Sequence, residues 1–282
     1  MKLIHHFWNC LDTVLDGFSS RLCYGCKKAY SDKENKFYCE ECFSQLELSY
    51  EDSIKNLAFK LTELEEFFGG EVIHYPRVHF ISEYGELTKS LMREFKYRKP
   101  HYKKLWLSLI ESFVLKNKDS LFSGLEPEQI KLYDLETLKE SELKIYLAAV
   151  PMYKTQLKKR GFNQAELLAK NMQEVINGLN DFVYQTSEGL KKIKTLEFEF
   201  LPDLITRVKD TEKLYDKNKL ERLEILKDAF QLNPSYKLEE NSLLLVIDDI
   251  TTTGASFMSI YKSFLKTDLK SDLIFLASCG KN

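Results

Sequence analysis

Three stretches of strand length, "KIYLAAV" at residues 144–150, "LLLVI" at 243–247 and "LIFLASC" at 273–279, are apolar almost without interruption. A strand with one face open to water alternates apolar and polar residues, whereas a strand covered on both faces does not. The runs therefore predict a parallel sheet sandwiched between helices. What lies between them agrees. Phe162, Ala165, Leu168, Met172 and Val175 recur at helical spacing after the first run, and Phe257, Ile260, Tyr261 and Phe264 do so after the second. Strand, helix, strand, helix, strand is the order of an α/β fold with a mostly parallel sheet.

The remaining elements are read the same way. Short β-rich pieces are expected around Val72 and over residues 78–82, parted by Pro76. A helix is expected through "GELTKSLMREFKYRK", with Leu87, Leu91, Met92 and Phe95 inward and Pro100 closing it. Another runs from about Lys104 to Leu115, with Leu105, Leu109, Ile110 and Phe113 inward. Residues 116–143 read as a charged connection with at most a short helix, "TQLKKRG" as a basic loop leading into a helix, and "DAFQL" as a short strand. Ahead of the sheet, Phe7, Leu11, Val14, Leu15 and Phe18 fit an amphipathic helix, and an acidic helical segment stops at Gly69 and Gly70. That glycine pair marks a boundary between a small domain at 1–70 and a larger one at 71–282.

The 282 residues carry 41 Lys plus Arg against 43 Asp plus Glu, a formal net charge of -2. Such a balance gives no chain-wide field for gripping nucleic acid, so any such binding must be local. The first twenty residues include two His and two Asp where a signal peptide needs an apolar core, and no run reaches membrane-spanning length. A cytoplasmic protein is expected.

Four of the six cysteines form two C-x-x-C pairs, Cys23 with Cys26 and Cys39 with Cys42, twelve residues apart. Two such pairs let four thiolates reach one ion, which suits a closed, structural tetrahedral zinc site. A redox dithiol or plain core cysteines would use the same residues.

The stretch "LLLVIDDITTTGAS" places Asp248 and Asp249 directly after an apolar strand, at the carboxyl end where open α/β sheets bind ligands. Thr251, Thr252, Thr253, Gly254 and Ala255 follow at the start of a helix, where free N–H groups and hydroxyls can surround a phosphate. Carboxylates are acceptors for vicinal hydroxyls, so acids followed by a phosphate cradle suit a ribose 5-phosphate. Thr or Asp simply capping the helix is the plainer alternative. No nucleoside-triphosphate or dinucleotide glycine motif is present.

The same stretch resembles the phosphoribosyl pyrophosphate (PRPP) motif of type I phosphoribosyltransferases. Four segments in order are similar to ComF-type competence proteins: the four-cysteine zinc ribbon, "YGELTKSLMREFKYRK", "VPMYKTQLKKRGFNQAELLA", and "RVKDTEKL" leading to "DAFQL". The resemblance implies a phosphoribosyltransferase fold behind an N-terminal zinc ribbon, in a protein of natural transformation that acts in DNA uptake or processing. It implies that Asp248 and Asp249 hold the ribose hydroxyls and that Thr251, Thr252, Thr253, Gly254 and Ala255 hold the 5-phosphate. Lys159 and Arg160 would face the pyrophosphate, with magnesium bridging pyrophosphate and ribose, and Arg207, Lys209 and Thr211 would belong to a closing loop. Leu214 and Ile225 depart from the family's usual Gln and Asn. Implied partners are single-stranded DNA and a competence helicase or inner-membrane uptake machinery. Two basic clusters bear on DNA: Lys89, Arg93, Lys96, Arg98, Lys99, Lys103 and Lys104, and Lys154, Lys158, Lys159 and Arg160. Phe95, Tyr97, Tyr102 and Phe162 are interleaved with them.

Overall fold

The computed structural model describes residues 21–23, 26–30, 39–46, 76–83, 85–97, 103–125, 127–176, 179, 182–186, 189–210 and 218–280. The expected helices before Gly69 and the strand piece at Val72 lie outside them. The chain divides into two compact units, Met1–Glu47 and Leu48–Asn282.

In the small unit, β1 (Arg21–Leu22) and β2 (Ala29–Tyr30) form an antiparallel pair, and α1 (Glu40–Ser44) follows. The turn between the strands is tightened by Cys23 N donating to Lys28 O and Lys27 N donating to Cys23 O, each at 2.9 Å.

The large unit is built on six strands in the order β3 (Arg77–Glu83), β10 (Asp272–Gly280), β9 (Leu243–Thr251), β4 (Glu140–Ala149), β6 (Gly189–Phe200), β5 (Phe182–Thr186). All neighbouring pairs are parallel except β5 with β6. Helices α2 (Glu86–Tyr97), α3 (Lys103–Ser123), α4 (Pro127–Ile130), α5 (Lys154–Arg160), α6 (Gln164–Ile176), α7 (Lys219–Leu226) and α8 (Ala255–Phe264) surround it, with a two-stranded pair β7 (Ile205–Arg207) and β8 (Phe230–Leu232). The α/β class with a mostly parallel sheet is thus what the apolar runs required.

The reason is visible in the faces. Side chains two apart on a strand share a face, and Tyr146, Ala148, Leu244, Val246, Phe275 and Ala277 belong to one buried cluster with Phe257, Met258, Ile260 and Tyr261 of α8. The intervening Ile145, Leu147, Leu243, Leu245 and Ile247 are equally buried, and α6 packs on β4 and β9 from that other side. Burial on both faces explains why neither run alternates.

Three local expectations change. Helix α3 continues to Ser123 instead of ending near Leu115, because Leu121 and Phe122 are buried, Phe122 lies 4.7 Å from the Phe182 ring, and Arg77 donates to the Leu121 and Phe122 carbonyls. A kink at Asn117 broke the periodicity that the sequence reading followed. The basic segment after β4 is helical, not a loop: α5 has no buried residue and so no apolar stripe to betray it, and it ends at left-handed Gly161. Strand β9 runs on through Asp248, Asp249 and Ile250 to Thr251, because β10 keeps pairing with it as far as Gly280. On its other side β4 stops at Ala149 opposite Ile247. The acids therefore sit on a strand paired along one edge only by its described neighbours.

Candidate functional site

The carboxyls of Asp248 and Asp249 are fixed by their own backbone. Asp249 N donates to Asp248 Oδ1 and Ile250 N to Asp249 Oδ1, both at 2.8 Å. Helix α2 brings a cation to them: with Met92 and Phe95 locked in the core, Lys96 in the last turn reaches Asp249 Oδ2 at 2.9 Å. Burial, then the neighbouring Asp249 charge, holds the Asp248 carboxyl well above its ordinary range. Burial pushes Asp249 upward too, but the Lys96 ammonium outweighs it, and a hydrogen bond from Asp248 and the Arg160 charge add to that, so Asp249 falls below its ordinary range. The pair is thus split, one carboxyl drawn toward its protonated form and the other toward its ionised form, as expected when two carboxyls crowd a dry site.

More cations converge. Arg207, on β7, lies over the Phe230 ring at 5.5 Å and near enough to Asp248 for their charges to interact. Arg160 closes α5, and its Nη1 donates to Gln164 Oε1 at 3.4 Å. The segment "RGFNQ" pins that end of α5 to the end of β4: Phe162 packs on Phe95 with ring centroids 6.4 Å apart, and buried Asn163 donates to Val150 O at 3.0 Å while accepting from Ala165 N at 3.2 Å. Thr155 Oγ1 donates to Asp210 Oδ2 at 3.2 Å, tying the chain after β7 to α5.

In the loop, Gly254 is the N-cap of α8, with φ 69° and no side-chain cap. The plainer alternative, a threonine capping the helix, is therefore not what the chain does. Gly254 occupies a left-handed conformation that a β-carbon disfavours. The first helical bond runs from Met258 N to Gly254 O, which leaves the amides before it at a positive helix end. Thr251 is buried, Thr252 and Thr253 are half-buried, and Thr252 Oγ1 accepts from Arg222 Nη1 at 2.8 Å. Arg222 comes from α7, whose N-terminus is set by a capping box between Asn218 and Glu221.

The site thus gathers Asp248, Asp249, the threonine loop, Arg160 and Arg207. Lys159 is exposed on α5, and Lys209 donates instead to Lys227 O at 2.6 Å. Thr211 lies outside the described residues. Sequence reading missed Lys96 and Arg222 as site residues. Lys96 was visible only as one of a run of cations. Arg222 sat in a Lys-rich polar tract, although N-K-L-E at 218–221 is the capping-box signature that starts its helix.

A magnesium ion is usually held through one or two carboxylates and keeps near-ideal octahedral oxygen ligation. Here both Oδ1 atoms accept backbone N–H groups and Lys96 occupies Asp249 Oδ2. With three of its four carboxyl oxygens taken by protein donors, one of them by an ammonium, the acid pair does not fit a protein-held divalent cation.

In the small unit the ligand atoms of Cys23, Cys26, Cys39 and Cys42 all lie within 4.8 Å of one another, and the four could hold a metal ion such as zinc. Cys26 Sγ and Cys39 Sγ are 3.8 Å apart, close to the edge of about 3.8 Å that a tetrahedron with Zn–S bonds of about 2.3 Å requires. Cys39 is the N-cap of α1 and Cys42 lies one turn on, so the second pair meets a helix N-terminus that favours thiolate. Burial, with help from the crowding thiols, pushes the Cys42 thiol up to about 12. Four thiols in such a position need a cation to ionise together.

No described helix is long and apolar enough to cross a membrane. No protein-family model matches the chain, and no curated protein is significantly similar to it.

Proposed function

We propose that the large unit is a type I phosphoribosyltransferase-like domain that binds PRPP at the carboxyl end of β9, in a ComF-type protein acting in DNA uptake or processing during natural transformation. The observation that carries the reading is the junction of acids and threonine loop at a strand end that β4 has left, with cations from four elements turned toward it. Ribose hydroxyls would donate to the acid pair, and the loop amides and hydroxyls would take the 5-phosphate. Arg222 adds to that cradle a positive charge that the loop itself lacks. Arg160 and Arg207 suit the pyrophosphate, whose negative charge grows as a nitrogen nucleophile displaces it from the anomeric carbon. Titration of the zinc-loaded protein with PRPP tests the site: saturable binding is expected, and no heat or spectral change up to millimolar ligand would sink it. Pyrophosphate release across a panel of bases and nucleic acids tests turnover.

A second reading, single-stranded DNA binding without turnover, has one observation in its favour: Lys154, Lys158 and Lys159 are all exposed on α5. Against the stacking half of that reading, Phe95 is fully buried and Phe162 packs on it. Binding through α5 alone would follow phosphates and weaken steeply with salt.

A further inference from the structure

The acid pair's counter-ion belongs to the protein, and this has a consequence for the ligand. Lys96 has three N–H donors. Among the described residues Asp249 is its one ion-pair partner, at 2.9 Å, and the side chain keeps 19% of its surface open. Among the described residues no second ion pair uses its other two donors, which suit oxygens brought by a ligand. The ammonium sits beside the carboxyls that would hold the sugar, with Arg160 and Arg207 near the same two acids. A divalent ion placed there would meet an acid pair with three of its four oxygens already taken by protein donors, and three cations that repel it. A polyanion would meet the opposite field.

Resting on the PRPP reading, we propose that Lys96 takes the bridging place that magnesium would hold between sugar and pyrophosphate, so that this site binds PRPP as the metal-free anion. Lys96 would donate to Asp249 and to a pyrophosphate oxygen at once, which couples the ribose end of the site to its leaving group. It is a binding residue of the ligand, and its position on α2 makes the end of that helix part of the site.

The test is titration of the zinc-loaded full chain with PRPP in magnesium-free buffer and in millimolar magnesium, for wild type, Lys96→Met and Lys96→Arg, with folding of each checked by circular dichroism. Wild type is expected to bind with affinities within about threefold in the two buffers. Lys96→Met is expected to lose about tenfold or more without magnesium and to regain most of it when magnesium is added, since the ion then finds an unmatched acid pair. Lys96→Arg keeps the charge and stays metal-independent. A wild type that needs magnesium overturns the proposal, as does Lys96→Met that binds like wild type without it, or that magnesium fails to rescue. Wild type that binds PRPP in neither buffer removes the sugar-phosphate reading itself, a result distinct from any of these.

Discussion

Two isosteric substitutions side by side on β9 should move stability in opposite directions. Asp249→Asn deletes the charge that Lys96 pairs with at 2.9 Å, where the two side chains are only 19% and 14% exposed. Breaking a fully buried pair costs about 3–5 kcal/mol and an exposed one about 0–1. At this exposure a loss of about 2 kcal/mol is expected, or about 4–8 °C in Tm for a unit of this size. Asp248→Asn keeps the acceptor for Asp249 N but removes a carboxyl held above its ordinary range by burial and by its neighbour. Because the folded chain binds that proton more tightly than the unfolded chain, wild-type stability is fully present below the ordinary carboxylate pKa and declines as pH rises through the elevated one. The Asn variant escapes this decline, so it should match wild type near pH 4 and exceed it by pH 8. For Asp249 the sign reverses: its depressed pKa contributes stability above the ordinary value, lost as pH falls through the lower one. Thermal unfolding from pH 8 down to about pH 2 reads both. Two variants equally destabilised at pH 8, or an Asp249→Asn with wild-type Tm, would refute the opposite shifts of the two acids and the role of Lys96 with them.

Other outcomes follow from the same geometry. Arg222→Gln should weaken PRPP and ribose 5-phosphate binding by about tenfold, the scale of one charge-assisted hydrogen bond, and leave pyrophosphate binding unchanged; PRPP and ribose 5-phosphate affinities unchanged from wild type would remove Arg222 from the phosphate cradle. Gly254→Ala adds a β-carbon that meets no neighbour, yet at φ 69° it should cost about 1 kcal/mol and lower PRPP affinity, with Gly254→Asn milder on both counts. The four cysteines should bind one zinc per chain, released by a strong chelator and lost in Cys42→Ser. Because the Cys42 thiol lies near 12 without a cation, zinc affinity should rise with pH and binding should release protons. A pH-independent affinity would contradict a four-thiolate site.

How much of this was legible in the sequence depends on what each residue's neighbours are. The runs at 144–150, 243–247 and 273–279 announced a doubly covered sheet because burial on both faces leaves its trace in every position. The acids and the threonine loop were legible because they adjoin such a run. Helix α5 was not, since a helix with no buried face has no apolar period to read. The reach of β9 past Ile247 was hidden for another reason: its pairing partner for Asp248 is Ala277, and nothing at 248 says that β10 stays paired beyond the point where β4 stops. Lys96 and Arg222 lie far along the chain from Asp249 and Thr252, the residues they contact, and only the packing of α2 and α7 brings them in.

The central claim is that Asp248 and Asp249 hold the sugar of a phosphorylated ribose. Its most direct measurement compares PRPP titration of the zinc-loaded wild type with that of the Asp248→Asn/Asp249→Asn double variant, shown to be folded by circular dichroism. The account predicts saturable binding by the first and at least a tenfold loss in the second. Equal affinities, or no binding by wild type, would contradict it.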